Sequence, residues 1–179
     1  MAVTRRRGLI ISGAATLVLF FVLTALDLRM RDAGGPGIVG FEFAWDSEGA
    51  TEILDDWGER GQDAARLSLW LDFLYLIAYA TFLTLAVGGV RERAGQRNLR
   101  RIAVVGAAVI SFPAAAASFD ALEDVCLLIA LNGNGGDTAP MLAGIFASIK
   151  FVLAAAAIIY IVAGLVAARR SRADPGAAG

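Results

Sequence analysis

Four apolar runs dominate this chain, at residues 8–26, 67–90, 102–131 and 140–168. Each is about as long as the roughly 20 residues a helix needs to cross a hydrocarbon core. The reading is an all-α fold: a four-helix transmembrane bundle with an interfacial amphipathic helix in its first outer loop. Residues 1–172 form one membrane domain, and residues 173–179 are expected to be a disordered tail. Composition agrees, with 58% of residues hydrophobic and 18% charged, against roughly 45–50% and about 25% in soluble domains.

The first run follows Arg5, Arg6 and Arg7, as a secretory signal would. It is longer than the roughly 7–15 apolar residues of such a signal and no A-x-A cleavage site follows it, so a retained span is expected. Basic residues set the orientation. Three Arg precede the first span, five lie between the second and third, and three follow the fourth. The loop from Asp27 to Arg66 carries four Arg and ten acids, and the turn from Asn132 to Ala139 carries no base. Both termini are therefore expected to be cytoplasmic in a multi-pass protein of a bacterial inner membrane. The long acidic loop and the Gly-rich turn then face outward.

Within that loop Ala50, Ile53, Leu54 and Trp57 recur at helical spacing, with Ser47 as the expected N-cap and Gly58 as the stop. Phe41, Phe43 and Trp45 precede them. The apolar face is expected either on the membrane surface or over the outer mouth of the bundle.

Several kinds of chemistry are excluded. The chain has no His, which removes His-liganded haem and zinc and a Ser-His-Asp triad. A single Cys126 allows no internal disulfide or redox pair, and an inert buried thiol is expected. The net charge of −1, with Arg clustered at span ends, gives no nucleic-acid footprint. No cofactor is expected.

Polar residues inside the spans carry the functional signal, because each charge at a span centre costs roughly 2.5–3.5 kcal/mol on insertion scales. Asp72 lies on the second span, Asp120, Glu123 and Asp124 on the third, and Lys150 on the fourth. The three acids of the third span share one helix face by their i, i+3, i+4 spacing. Folding the third and fourth spans about the Gly-rich turn puts Asp120 about 15 residues before it and Lys150 about 15 after, at similar depth. Tyr75 and Tyr79 follow Asp72 at i+3 and i+7, where their hydroxyls can donate to a carboxylate. Four carboxylates and one ammonium would sum to −3 at one site, which calls for protons, a bound cation or contact with water.

Each member also has a plainer reading. Asp72 fits a span end, Glu123 and Asp124 the outer aqueous edge, Tyr75 and Tyr79 aromatic packing, and Asp120 with Lys150 a structural ion pair. In the third span Pro113 and the small residues after it read as a packing seam with a mild kink, faced by Gly144 and Ser148 of the fourth.

The segments Phe41-Glu42-Phe43-Ala44, Trp57-Gly58, Leu71-Asp72-Phe73-Leu74-Tyr75 and Asp120-Ala121-Leu122-Glu123-Asp124 resemble those of four-span bacterial membrane proteins with no assigned activity. The resemblance covers most of the chain from Phe41 onward. It implies the four-span fold and the importance of the acidic positions.

Three functions fit. The first is a binding or transport protein taking a proton, cation or small amine at Asp72, Tyr75, Tyr79, Asp120, Glu123, Asp124 and Lys150. Four helices are few for a transporter acting alone, so that reading expects a homo-oligomer. The second is a structural or assembly subunit held by these charges, and the third a membrane enzyme acting on a lipid-like substrate, marked by a cavity open sideways between helices.

Overall fold

A computed structural model describes the backbone of residues 2–173 and the side chains of residues 4–170. Beyond Ala173, the expected tail lies outside the described residues. Among the described residues all regular structure is helical: α1 (Ala2–Asp32), α2 (Ile38–Glu42), α3 (Ser47–Gln96), α4 (Arg100–Val109), α5 (Phe112–Leu131) and α6 (Thr138–Ala173). Four continuous stretches are long and apolar enough to cross a membrane: Thr4–Asp32, Ser47–Gln96, Arg100–Leu131 and Thr138–Arg170. Each contains one expected span and extends past it.

α1 carries Ser12, Thr16 and Thr24 within its apolar run. Their hydroxyls donate to the carbonyls of Gly8, Ser12 and Phe20 at 2.7, 2.8 and 2.7 Å, so none leaves an unpaired group on an apolar helix. After α1 the chain turns back sharply. Asp27 on the last turns of α1 accepts the Ile38 amide at 2.7 Å and the Arg31 guanidinium at 2.7 Å, which ties α2 against α1.

Asp46, rather than Ser47, caps α3: its side chain accepts the Gly49 amide at 2.8 Å. Ser47 instead donates both its amide, at 3.0 Å, and its hydroxyl to the Asp137 carboxylate, joining the start of α3 to the turn before α6. Residues 47–57 form a first helical stretch, and at Gly58 the backbone leaves helical geometry with φ 53° and ψ −167°. That conformation is open to glycine and strained for other residues. Of the aromatic residues around this stretch, Phe41 and Trp57 turn onto the protein, whereas Trp45 stays about half exposed. Phe41 and Trp57 are fully buried with ring centroids 5.1 Å apart, and the Trp57 indole donates to the Pro36 carbonyl at 2.6 Å.

The third apolar run is divided into two helices at Ile110 and Ser111, both of which keep right-handed helical dihedrals. α4 ends at Val109 and α5 begins at Phe112, with Pro113 in its first turn. Proline has no amide to offer the carbonyl one turn back, so the helix ladder is interrupted there. The Gly144 expected to face this seam lies against Trp45 instead: a Cβ at Gly144 would sit 2.9 Å from the indole.

α3 runs through the middle of the assembly, packing on α1, α4, α5 and α6, while α5 and α6 pair with each other. Most of the buried apolar side chains form two separate clusters, with Leu76, Leu83, Ala94, Ala116, Ala117 and Ala147 buried outside them. One gathers Met30, Phe41, Trp57, Leu69, Leu127 and Ala143, with Cys126 buried among them. The other gathers Val87, Val90, Val109, Ala157 and Tyr160, whose hydroxyl donates to the Ile102 carbonyl at 3.0 Å. Along α3, α5 and α6 alike, the polar residues of interest fall in sequence between these two clusters.

Candidate functional site

Between the clusters the ammonium of Lys150 on α6 lies 2.8 Å from Asp120 Oδ1 and 2.8 Å from Glu123 Oε1, both on α5, and 3.5 Å from Glu42 Oε1 on α2. Lysine carries three N–H donors, and here each faces a carboxylate on a different residue. Asp120 and Glu123 share a helix face by their three-residue spacing. Their depth matches that of Lys150 because α5 and α6 run antiparallel from a common turn. The second oxygen of Asp120 accepts the Tyr79 hydroxyl from α3 at 2.9 Å. One cation therefore joins α2, α5 and α6, and Asp120 extends the network to α3.

Asp72 and Asp124 sit beside this network. Their carboxyls lie close enough to act on each other, and neither is ion-paired with a basic side chain among the described residues. Glu42 and Glu123 act on each other in the same way. Two carboxylates facing each other hold no proton to donate, and Glu42 Oε2, Glu123 Oε2 and Asp124 Oδ2 are buried with no hydrogen-bond partner. Such groups are costly in a low-dielectric interior unless a proton or cation satisfies them. Tyr75 stacks near Tyr79, ring centroids 5.3 Å apart, and its hydroxyl has no partner among the described residues. Lys150 also lies 5.0 Å from the Phe151 ring centroid, and Phe151 stacks on Phe43.

The structure thus brings Asp120, Glu123, Lys150 and Tyr79 into direct contact, and places Asp72, Asp124 and Tyr75 next to them. Glu42 is the member that periodicity and span position did not reveal. It lies outside the four long helices, yet only 6% of its surface is exposed. Its carboxyl is held above the usual 4.5, chiefly by burial, with Asp120 adding to the shift and Lys150 opposing it. With Glu42 included, five carboxyls surround one ammonium. A cavity of about 590 Å³ opens onto Glu42, Asp72, Tyr75, Tyr79, Asp120 and Lys150. A larger hollow of about 710 Å³ beside Arg5, Arg91 and Arg100 shares no lining residue with it. Among the described residues, no group of three or more His, Cys, Asp or Glu side chains is arranged to hold a metal ion.

Comparison with protein-family models, with curated proteins and with solved structures finds no match.

Proposed function

We propose that this chain is a four-helix transmembrane bundle, both termini cytoplasmic, whose buried carboxyl layer binds a proton or a small organic amine. The orientation rests on the Arg-rich ends and the acidic, Arg-poor loop between the first two spans. The stretch from Ser47 to Trp57 caps the outer end of the bundle, its apolar side packed on the first cluster.

The observation that carries this reading is the set of three buried carboxylate oxygens with no donor, one of them on Glu42, which lines the cavity. Lys150 satisfies part of the acidic layer and leaves formal negative charge in excess. An ammonium ligand supplies an N–H donor to Asp72 and a second one, beside Lys150, to Glu42, and a carboxyl pair without a ligand holds a proton in its place. The donor arrangement favours an amine over a metal ion.

The test uses the full chain in phosphatidylcholine nanodiscs, titrated calorimetrically with butylamine at several pH values. Binding should release protons and weaken as pH falls, and Asp72→Asn and Glu42→Gln should each weaken it at least tenfold. Folded protein that takes up no butylamine at any pH, and whose affinity for protons is unchanged in both variants, would overturn the proposal.

A second reading has its own support. The contacts of Lys150 with residues of α2 and α5 make it a clamp between helices, as a structural subunit would use it. Under that reading Lys150 matters for stability and butylamine does not bind.

A further inference from the structure

The cavity above the acidic layer is longer than a small amine requires, and its two ends differ in chemistry. The charged lining is made by Glu42, Asp72, Asp120 and Lys150, together with the ion-paired Asp27 and Arg31. Away from these groups the lining is apolar, built from Phe20 and Leu23 of α1, Phe82 and Leu83 of α3, and Ala154 and Ile158 of α6. On α1 the lining runs from Thr16 to Arg31, about 22 Å along the helix axis, and on α6 from Lys150 to Ile158, about 12 Å. The cavity is thus an elongated slot lying roughly along the helices.

Its opening is on the flank. α1 packs along α3, and α6 along α5 and α3, while the slot draws lining residues from both α1 and α6. Phe20, Phe151 and Ile158 line it and are each about half exposed, at 50%, 45% and 50%. In a bundle crossing a bilayer that flank faces acyl chains. A polar solute arriving from water would have little use for a wall of Phe, Leu and Ile, whereas an alkyl chain is satisfied there. The charged end discriminates among head groups. Arg31, the other cation in the lining, is paired with Asp27, Glu42 Oε2 is buried without a donor and Asp72 has no basic partner among the described residues, so an anionic head is repelled and a neutral one leaves the charge uncompensated.

The geometry points to a single-chain amphiphilic amine as the ligand, its ammonium set between Glu42 and Asp72 and its hydrocarbon chain in the slot between α1 and α6, entering sideways from the bilayer. This rests on the amine-binding reading above and specifies the class of ligand.

The experiment compares dodecylamine, butylamine, dodecanol and dodecyl sulfate on the full chain in phosphatidylcholine nanodiscs, read by Trp fluorescence and thermal unfolding, with empty nanodiscs subtracted. Dodecylamine should bind at least tenfold more tightly than butylamine and raise the unfolding temperature, whereas dodecanol and dodecyl sulfate should not. Ala154→Phe fills the slot without touching the acids. It should remove the advantage of dodecylamine and leave butylamine binding intact, whereas Asp72→Asn should weaken both amines. Equal binding of the two amines, or a dodecylamine advantage that survives Ala154→Phe, overturns the lateral slot while leaving the amine site standing. Absence of binding by both amines in the folded parent chain, or binding of both amines that Asp72→Asn leaves unchanged, overturns the amine site itself. A response to dodecylamine that is the same in the parent and both variants is partitioning into lipid and overturns the slot as well.

Discussion

Lys150 and Asp120, thirty positions apart in sequence, meet at 2.8 Å with almost no solvent contact, on helices joined by a glycine-rich turn. Breaking a buried ion pair from either side leaves a charge without its partner, but the two sides differ here. Lys150→Met strands three carboxylates and should cost about 3–5 kcal/mol. Asp120→Asn leaves Glu123 and Glu42 to neutralise the ammonium and should cost less. The double variant should cost less than the sum of the two, measured by reversible unfolding in mixed micelles. Simple additivity would mean that the two residues are not coupled.

The two tyrosines of α3 should separate cleanly. Tyr79→Phe removes the O–H donor that reaches Asp120 Oδ2 among the described residues and should cost about 1–3 kcal/mol. Tyr75→Phe removes a hydroxyl without a partner and should stay within about 0.5 kcal/mol. Equal losses in the two variants would place the contribution in the rings instead.

Glu42 makes stability depend on pH in a definite direction. Its carboxyl is raised above the ordinary 4.5 mainly by burial, so the folded protein binds its proton more tightly than the unfolded chain does. Stability from this group is present at low pH and declines as pH rises from the ordinary value through the raised one. Lys150 of α6, Asp120 and Glu123 of α5 and Asp72 of α3 set the field it feels. Glu42→Gln should flatten that decline, and a series of unfolding curves above pH 4.5 checks it. An unchanged slope would show that Glu42 titrates alike in both states.

Gly58 offers a test of backbone strain with no steric complication. A Cβ there meets nothing within 4 Å, but the residue sits at φ 53°. Gly58→Ala should therefore cost about 1–3 kcal/mol purely through conformation. A neutral result would mean that the bend between the two stretches of α3 relaxes freely.

How far the sequence could be read depended on what sets each position. The Asp120–Lys150 contact was legible because helix rise and a shared turn fix relative depth, and the three-residue step from Asp120 to Glu123 fixes a common face. Helix rotation is not set by such counting, so neither the Tyr79–Asp120 bond nor the slot between α1 and α6 could be derived. Glu42 escaped because it lies on a five-residue helix after a Gly-Pro turn, where no periodicity places it. Its one signal was an acid flanked by Phe41 and Phe43, and both the cap at Asp46 and the Ser47–Asp137 contact depend on loop geometry of the same unreadable kind. Gly144 looked like half of a helix seam by its spacing from Ser148. Trp45, held at φ 67° by the turn before α3, takes that place instead.

The two apolar clusters have no buried hydrophobic residue in common, and between them the charged layer sits among the separately buried Leu76, Leu83, Ala116, Ala117 and Ala147. Dispersion and burial act most strongly within each cluster, so each end of the molecule can open as its own cooperative unit. The charged layer is then the boundary along which one half can give way while the other stays formed. Amide exchange along α3 should accordingly fall into two classes that change over near Asp72–Tyr79, and the buried acids would sit on the molecule's natural line of cleavage.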